Sequence, residues 1–242
     1  MKNHNFIISN VDTDGISFCK PDSKRFTDDE IDKLVKEINT VTGEKIIWEY
    51  EEQVNNYVVI KTKNYAYWDG ESLSIKGSAL KATQKEPALR EMLHRMIKSL
   101  LEITNEDLVE IYNEYVKEAT NVKDIKRWGA KKSVTSSVLK PSRTNEQKLL
   151  DAIQGKGLQI GEKFYVFFRP DNTLATIEDF DGNYNEDKLL EKIYKTVDIL
   201  KTVVNVKETF PNYKLKKNKK ELDKLIGRVV TYKRDSKIKR EE

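Results

Sequence analysis

Two carboxylates, Asp12 and Asp14, stand one residue apart in the stretch VDTDGISF, residues 11–18, between two apolar runs. Asp and Gly favour chain reversal, so the plain reading of DTDG is a hairpin turn. The chemical reading is a pair of oxygen donors for a hard divalent cation such as Mg²⁺. On an extended backbone the two side chains share one face. A calcium loop is excluded, because Ile16 stands where a third ligand is needed and no glutamate occupies the twelfth position. Two carboxylates are too few for a two-metal centre that clamps the attacking and leaving oxygens of a phosphoryl transfer. At least one more ligand must come from elsewhere.

The second chemically suggestive stretch is VVIKTKNYAYW, residues 58–68. Read as one strand, it sends Lys61, Lys63, Tyr65 and Tyr67 to one face and Val58, Ile60, Ala66 and Trp68 to the other. The first face is either an ordinary solvated one, or a surface where lysines meet phosphates and tyrosines pack on sugars or bases. An acidic hairpin followed within about fifty residues by a basic strand suits an enzyme that holds nucleic acid beside metal ions.

Other chemistries are closed by composition. One cysteine, Cys19, and two histidines, His4 and His94, cannot build the usual Cys/His zinc site. A single cysteine also rules out an internal disulfide framework and fits a reducing compartment, so a cytoplasmic location is expected. No apolar run is long enough to span a membrane, and no membrane partner is expected. GKGLQIGEK, residues 155–163, has glycines at neither the Walker nor the dinucleotide spacing and reads as a helix stop and a turn. Net charge is only +4, but it is unevenly spread. Residues 28–53 carry nine acids and three bases, residues 123–148 eight bases and two acids, and residues 214–240 twelve bases and three acids. Separated basic blocks on a near-neutral chain point to a polyanion partner, or individually to solvated faces.

The elements that must position these residues follow from periodicity. FIIS and ISFC read as strands around the DTDG turn. TDDEIDKLVKEIN reads as a helix with a Thr27–Glu30 capping box and an apolar stripe of Ile31, Leu34, Val35 and Ile38. A strand is expected over KIIWEYE, then two strands joined at Asp69–Gly70. From Pro87 onward the period becomes helical, in EPALREMLHRMIKSLLE, in TNEDLVEIYNEYVKEA with Thr104 and Asp107 placed to cap it, and in RTNEQKLLDAIQ. A strand pair, EKFYVFFRP and TLATIEDF, precedes a further helix from Asn185, and KKELDKLIG reads as a short one in the tail. The expected fold class is α+β: an antiparallel sheet portion with a packed helix over residues 1–84, then a mainly helical domain over residues 85–242 with a small β insertion.

Taken in order, these segments resemble a known family. VDTDGISF resembles the third palm motif of family B DNA polymerases, aromatic-x-Asp-Thr-Asp-Ser. KTKNYAYWDGESLSIKGSALK resembles the later palm segment, a basic Lys-x-Tyr strand followed by a hairpin and Lys-Gly. IKRWGAKKSVTSSVLKPSRTNEQKLLDAI and FDGNYNEDKLLEKIYKTVDIL resemble the helical thumb that follows, especially in phage enzymes. The resemblance implies a palm end and a thumb. It implies that Asp14 is the principal Mg²⁺ ligand and that Asp12 supports or shares it. Lys63 and Tyr65 would touch primer–template DNA near the primer terminus, with Lys61 alongside, and Lys76 would contact the duplex backbone. Gly15 departs from the usual serine and Asn10 from the usual aromatic residue.

A complete family B polymerase also carries an exonuclease domain, a first palm strand with another metal-binding aspartate, and a fingers helix that grips the incoming dNTP. None of these fits in the eleven residues before Asp12. The resemblance therefore implies the C-terminal subunit of a split polymerase, inactive until an N-terminal subunit supplies those parts and completes a two-Mg²⁺ site. If the chain is phage-encoded, it would work in the host cytoplasm. The competing readings are a non-catalytic module that clamps duplex DNA and a remnant with a purely structural role. A nuclease fits poorly, because one Asp-x-Asp without a nearby Glu or His base offers no second ligand set.

Overall fold

The computed structural model describes residues 5–12, 15–43, 46–78, 80 and 86–211. The fold is mixed α and β with small antiparallel sheets. It divides into two compact units, Met1–Gly77 and Ser78–Glu242.

The first unit opens with a hairpin of β1 (Ile7–Val11) and β2 (Ile16–Cys19), paired antiparallel with Asn10 opposite Ser17 and Val11 opposite Ile16. The reversal is tight, with Asp12 N–H donating to Gly15 C=O at 2.9 Å. Helix α1 (Asp28–Thr42) starts at the capping box read from the sequence. Thr27 Oγ1 accepts from Glu30 N–H, and the Glu30 carboxylate accepts from Thr27 N–H, so two otherwise orphaned donors are satisfied. Its stripe of Ile31, Leu34, Val35 and Ile38 is half-buried. An aromatic cluster joins helix entry to hairpin: Phe6, Phe18 and Phe26 lie with ring centroids 5.3–5.7 Å apart.

The strand expected over KIIWEYE does not form among residues 46–51. Asn39 on α1 explains why. Its side chain accepts from Trp48 N–H at 2.6 Å and donates to Trp48 C=O at 2.9 Å, taking both backbone groups that a ladder would need.

The next segment forms three strands rather than two: β3 (Asn56–Lys61), β4 (Asn64–Trp68) and β5 (Leu73–Lys76), in that order in one antiparallel sheet. The second reversal is the Asp69–Gly70 turn. Asp69 Oδ1 accepts from the N–H groups of Glu71 and Ser72, which lowers the Asp69 pKa to about 2. The first reversal, at Thr62–Lys63, corrects the reading of residues 58–68 as one strand. Lys63 takes a left-handed backbone with φ 59°.

The second unit is built on α2 (Pro87–Leu100) and α3 (Leu108–Ala119), followed by two short helices, α4 (Ile125–Trp128) and α5 (Ser136–Leu139). Then come α6 (Thr144–Ile153), α7 (Glu186–Val197) and a turn of helix, α8 (Val206–Thr209), while the short helix expected over KKELDKLIG lies outside the described residues. Met92, Leu93, Met96 and Ile97 of α2 are buried, as are Ile111, Tyr112, Tyr115 and Val116 of α3 and Ile193 and Val197 of α7. Asp107 caps α3 by accepting from the N–H groups of Val109 and Glu110; Thr104 Oγ1, the other expected cap, is buried without a hydrogen-bond partner among the described residues.

The β insertion has a third strand that the sequence reading lacked. β6 (Ala130–Ser133) pairs with β7 (Lys163–Phe168), which pairs with β8 (Leu174–Thr176). AKKS carries little strand propensity. Ala130 enters a core cluster with Val134, Val138, Ala152, Ile153, Phe164 and Val166, and this burial together with the ladder to β7 makes it a strand.

Candidate nucleic-acid and metal site

The candidate site lies in the first unit, where the tip of the β1–β2 hairpin meets the reversal between β3 and β4. Asp12 Oδ1 lies 3.1 Å from Lys63 Nζ. Asp12 is partly shielded, with 31% of its side chain exposed, whereas Lys63 is 61% exposed. The carboxylate thus sits where a positive charge is accommodated, and a hard oxygen donor in that place suits Mg²⁺. Asp14, the other expected ligand, lies outside the described residues. Among the described residues no group of three or more His, Cys, Asp or Glu side chains gathers to hold a metal ion.

The Lys63 reversal is held from two directions. Asn64 is buried, and its Nδ2 donates to Thr62 C=O at 2.8 Å. Gly77, with φ 104°, packs directly against the reversal. A Cβ there would lie 2.3 Å from Lys63 C=O and 2.4 Å from Asn64 Oδ1. The glycine of the Lys76–Gly77 pair is therefore required by a close approach to Lys63, a role invisible in its own sequence neighbourhood.

The cross-strand register places Tyr57 opposite Tyr67 and Tyr65 opposite Lys76. Tyr57, Tyr65 and Tyr67 consequently form a ladder on one sheet face, with ring centroids 5.3 Å apart for Tyr57–Tyr65, 6.2 Å for Tyr57–Tyr67 and 6.4 Å for Tyr65–Tyr67. The opposite face carries the buried Ile60 and Ala66. Burial raises the Tyr57 pKa, and the nearby Asp12 carboxylate acts in the same direction. Tyr67 is raised chiefly by its hydrogen bond to Glu52.

Of the expected site residues, Asp12, Lys63, Tyr65 and Lys76 are drawn together by this arrangement, but not as one strand. Tyr65 and Lys76 face each other across β4 and β5, and Lys63 reaches Asp12 from a turn. Lys61 ends β3, exposed and paired in register with Asn64. Tyr57 was missed by the sequence reading. Its signal was period-two spacing within NYVVIK, which places it on the same sheet face as Tyr65 only once the reversal at Thr62–Lys63 is known.

No helix among the described residues is long and apolar enough to cross a membrane. No family model matches the chain, and no curated protein matches it significantly.

Proposed function

We propose that the chain supplies the palm end and thumb of a family B DNA-directed DNA polymerase. It would act together with an exonuclease, a first palm segment and fingers, in the same polypeptide or in another. One observation carries the reading: a carboxylate of the DTDG hairpin lies 3.1 Å from the lysine of the Lys-x-Tyr segment. Two segments that each resemble a polymerase motif thus come together at one place.

The residues divide the work by charge and shape. Asp12, joined by Asp14, is the oxygen-donor side. When bound, two Mg²⁺ ions supply Lewis-acid stabilisation of the charge that develops in nucleotidyl transfer. Lys63, which pairs with Asp12, would be the cation that meets a primer–template phosphate. Tyr65, held in the ladder between Tyr57 and Lys76, packs on the primer side of the duplex, while Lys61 and Lys76 meet its backbone. Phosphate contacts of this kind position DNA without reading its sequence.

The test mixes the full chain with a polypeptide bearing the missing polymerase parts, a primed template and dNTPs. Alone, the chain incorporates nothing. The mixture extends the primer only with Mg²⁺, and Asp14→Ala abolishes extension while DNA binding stays within about twofold. Extension at the unaltered rate with Asp14→Ala overturns the reading. A mixture that binds duplex tightly yet never extends it assigns the chain to a non-catalytic clamp.

A further inference from the structure

One enclosed polar group in the first unit has no role in the proposed chemistry. The Tyr57 hydroxyl is buried and has no hydrogen-bond partner among the described residues. Its ring is fixed by the ladder, stacked on Tyr65 at 5.3 Å and on Tyr67 at 6.2 Å. A buried hydroxyl left without a partner weakens a fold, and phenylalanine would keep the stacking without that penalty. Such a group calls for a partner that arrives with function.

The hydroxyl faces the base of the carboxylate hairpin. Burial, then Tyr65 and the Asp12 carboxylate, raise its pKa, while the Ser17 and Asn10 side chains oppose that rise. Asn10 and Ser17 stand opposite each other in register, one step below the Val11–Ile16 pair and the reversal in which Asp12 N–H donates to Gly15 C=O. Just before this pair the ladder slips at Ser9, between Ile8 opposite Phe18 and Asn10 opposite Ser17. A bulge of this kind re-aims the residues that follow it. Asn10 and Asp12 are two residues apart, so an extended backbone puts both on one face. A side chain that holds Asn10 thereby sets where the Asp12 carboxylate points.

We propose that Tyr57 is a positioning residue for the carboxylate hairpin: its hydroxyl bonds the Asn10–Ser17 pair when Asp12 takes up a divalent cation, and so fixes the carboxylate in place. The inference rests on the reading of Asp12 as an oxygen donor for Mg²⁺. It adds no metal ligand and requires no nucleotidyl transfer. Its signature is a pair of opposite effects from one substitution. Removing the hydroxyl leaves the free fold as stable or more so, yet weakens cation binding, a combination that a purely structural role does not produce.

The test uses the full chain with Mn²⁺ as the probe for Mg²⁺, because its unpaired electrons broaden the NMR signals of nearby amides. In the unaltered chain the Asp12 and Gly15 amides broaden first. Tyr57→Phe leaves the urea midpoint unchanged or higher, and raises the Mn²⁺ concentration for half-maximal broadening about tenfold, as loss of a group that orients a ligand does. Tyr67→Phe removes a hydroxyl of the same ladder, bonded to Glu52, and leaves the Mn²⁺ curve in place. A Tyr57→Phe curve that coincides with that of the unaltered chain overturns the proposal. So does an equal shift in Tyr67→Phe, which would make the effect one of ladder packing. A lowered urea midpoint in Tyr57→Phe returns the hydroxyl to holding the fold, and unselective broadening in the unaltered chain removes the cation from the hairpin; either also overturns it. Primer extension is measured separately in the reconstituted mixture. A shifted Mn²⁺ curve without extension by the unaltered chain keeps Tyr57 in this role while the polymerase reading falls, and extension with an unmoved curve does the reverse.

Discussion

Lys63 Nζ lies 3.1 Å from Asp12 Oδ1, joining a β-hairpin tip to a reversal about fifty residues later in the chain. With Lys63 61% exposed, water screens the pair strongly, so its role in holding the fold is small and its role in organising the site can be isolated.

A double-mutant cycle of Asp12→Ala and Lys63→Ala should accordingly give a coupling of only about 0.2–1 kcal/mol in urea unfolding. Duplex binding should respond more strongly to Lys63→Ala, with its salt slope reduced by about 1. A coupling above about 3 kcal/mol would mark the pair as structural.

Tyr65 contributes both to the ladder and to the proposed DNA contact, and two substitutions separate these. Tyr65→Phe keeps the ring 5.3 Å from Tyr57 and should preserve the stacked ladder. Tyr65→Ala removes ring stacking of about 0.5–1.5 kcal/mol. Its loss in primer–template binding should exceed that stability loss. Equal losses on both measures would return Tyr65 to a purely structural role.

Gly77 and Gly15 should behave oppositely. Gly77→Ala forces a Cβ to within 2.3 Å of Lys63 C=O in a left-handed backbone, so it should destabilise the protein by roughly 1–3 kcal/mol or more and displace Lys63. At Gly15 a Cβ meets nothing within 4 Å among the described residues, and its φ is not in the left-handed region. Gly15→Ser should be neutral or stabilise by about 0.4–1 kcal/mol. Chemical denaturation of both variants checks the contrast.

Asp69 gives a pH signature. Its folded pKa of about 2, held down by hydrogen bonds from Ser72 and Glu71, lies below the ordinary 3.8. The turn's contribution is therefore fully present above pH 3.8 and lost as pH falls toward 2. Carboxyl NMR titration should report the depressed value, and Asp69→Asn should remove this part of the acid response. A titration midpoint near 4 would show that the turn's hydrogen bonds are not maintained in solution.

The sequence by itself determined the features written in consecutive residues. The Thr27–Glu30 capping box, the hairpin around DTDG, the Asp69–Gly70 turn and the apolar periodicity of α2, α3 and α7 depend on neighbours within a few positions, and local propensity suffices to specify them. The tertiary structure decided what depends on distant partners. The reversal at Thr62–Lys63 has no Gly or Pro to announce it and is held by Gly77 and the buried Asn64. KIIWEYE has strand-like residues, but Asn39 takes the backbone groups of Trp48. AKKS lacks strand propensity, yet pairs with β7 because Ala130 is buried there. The approach of Lys63 to Asp12 follows from that unannounced reversal and from the packing that sets it beside the hairpin. Side-chain period and turn propensity act over a few residues, whereas a close approach between strands is fixed by packing that no local pattern encodes.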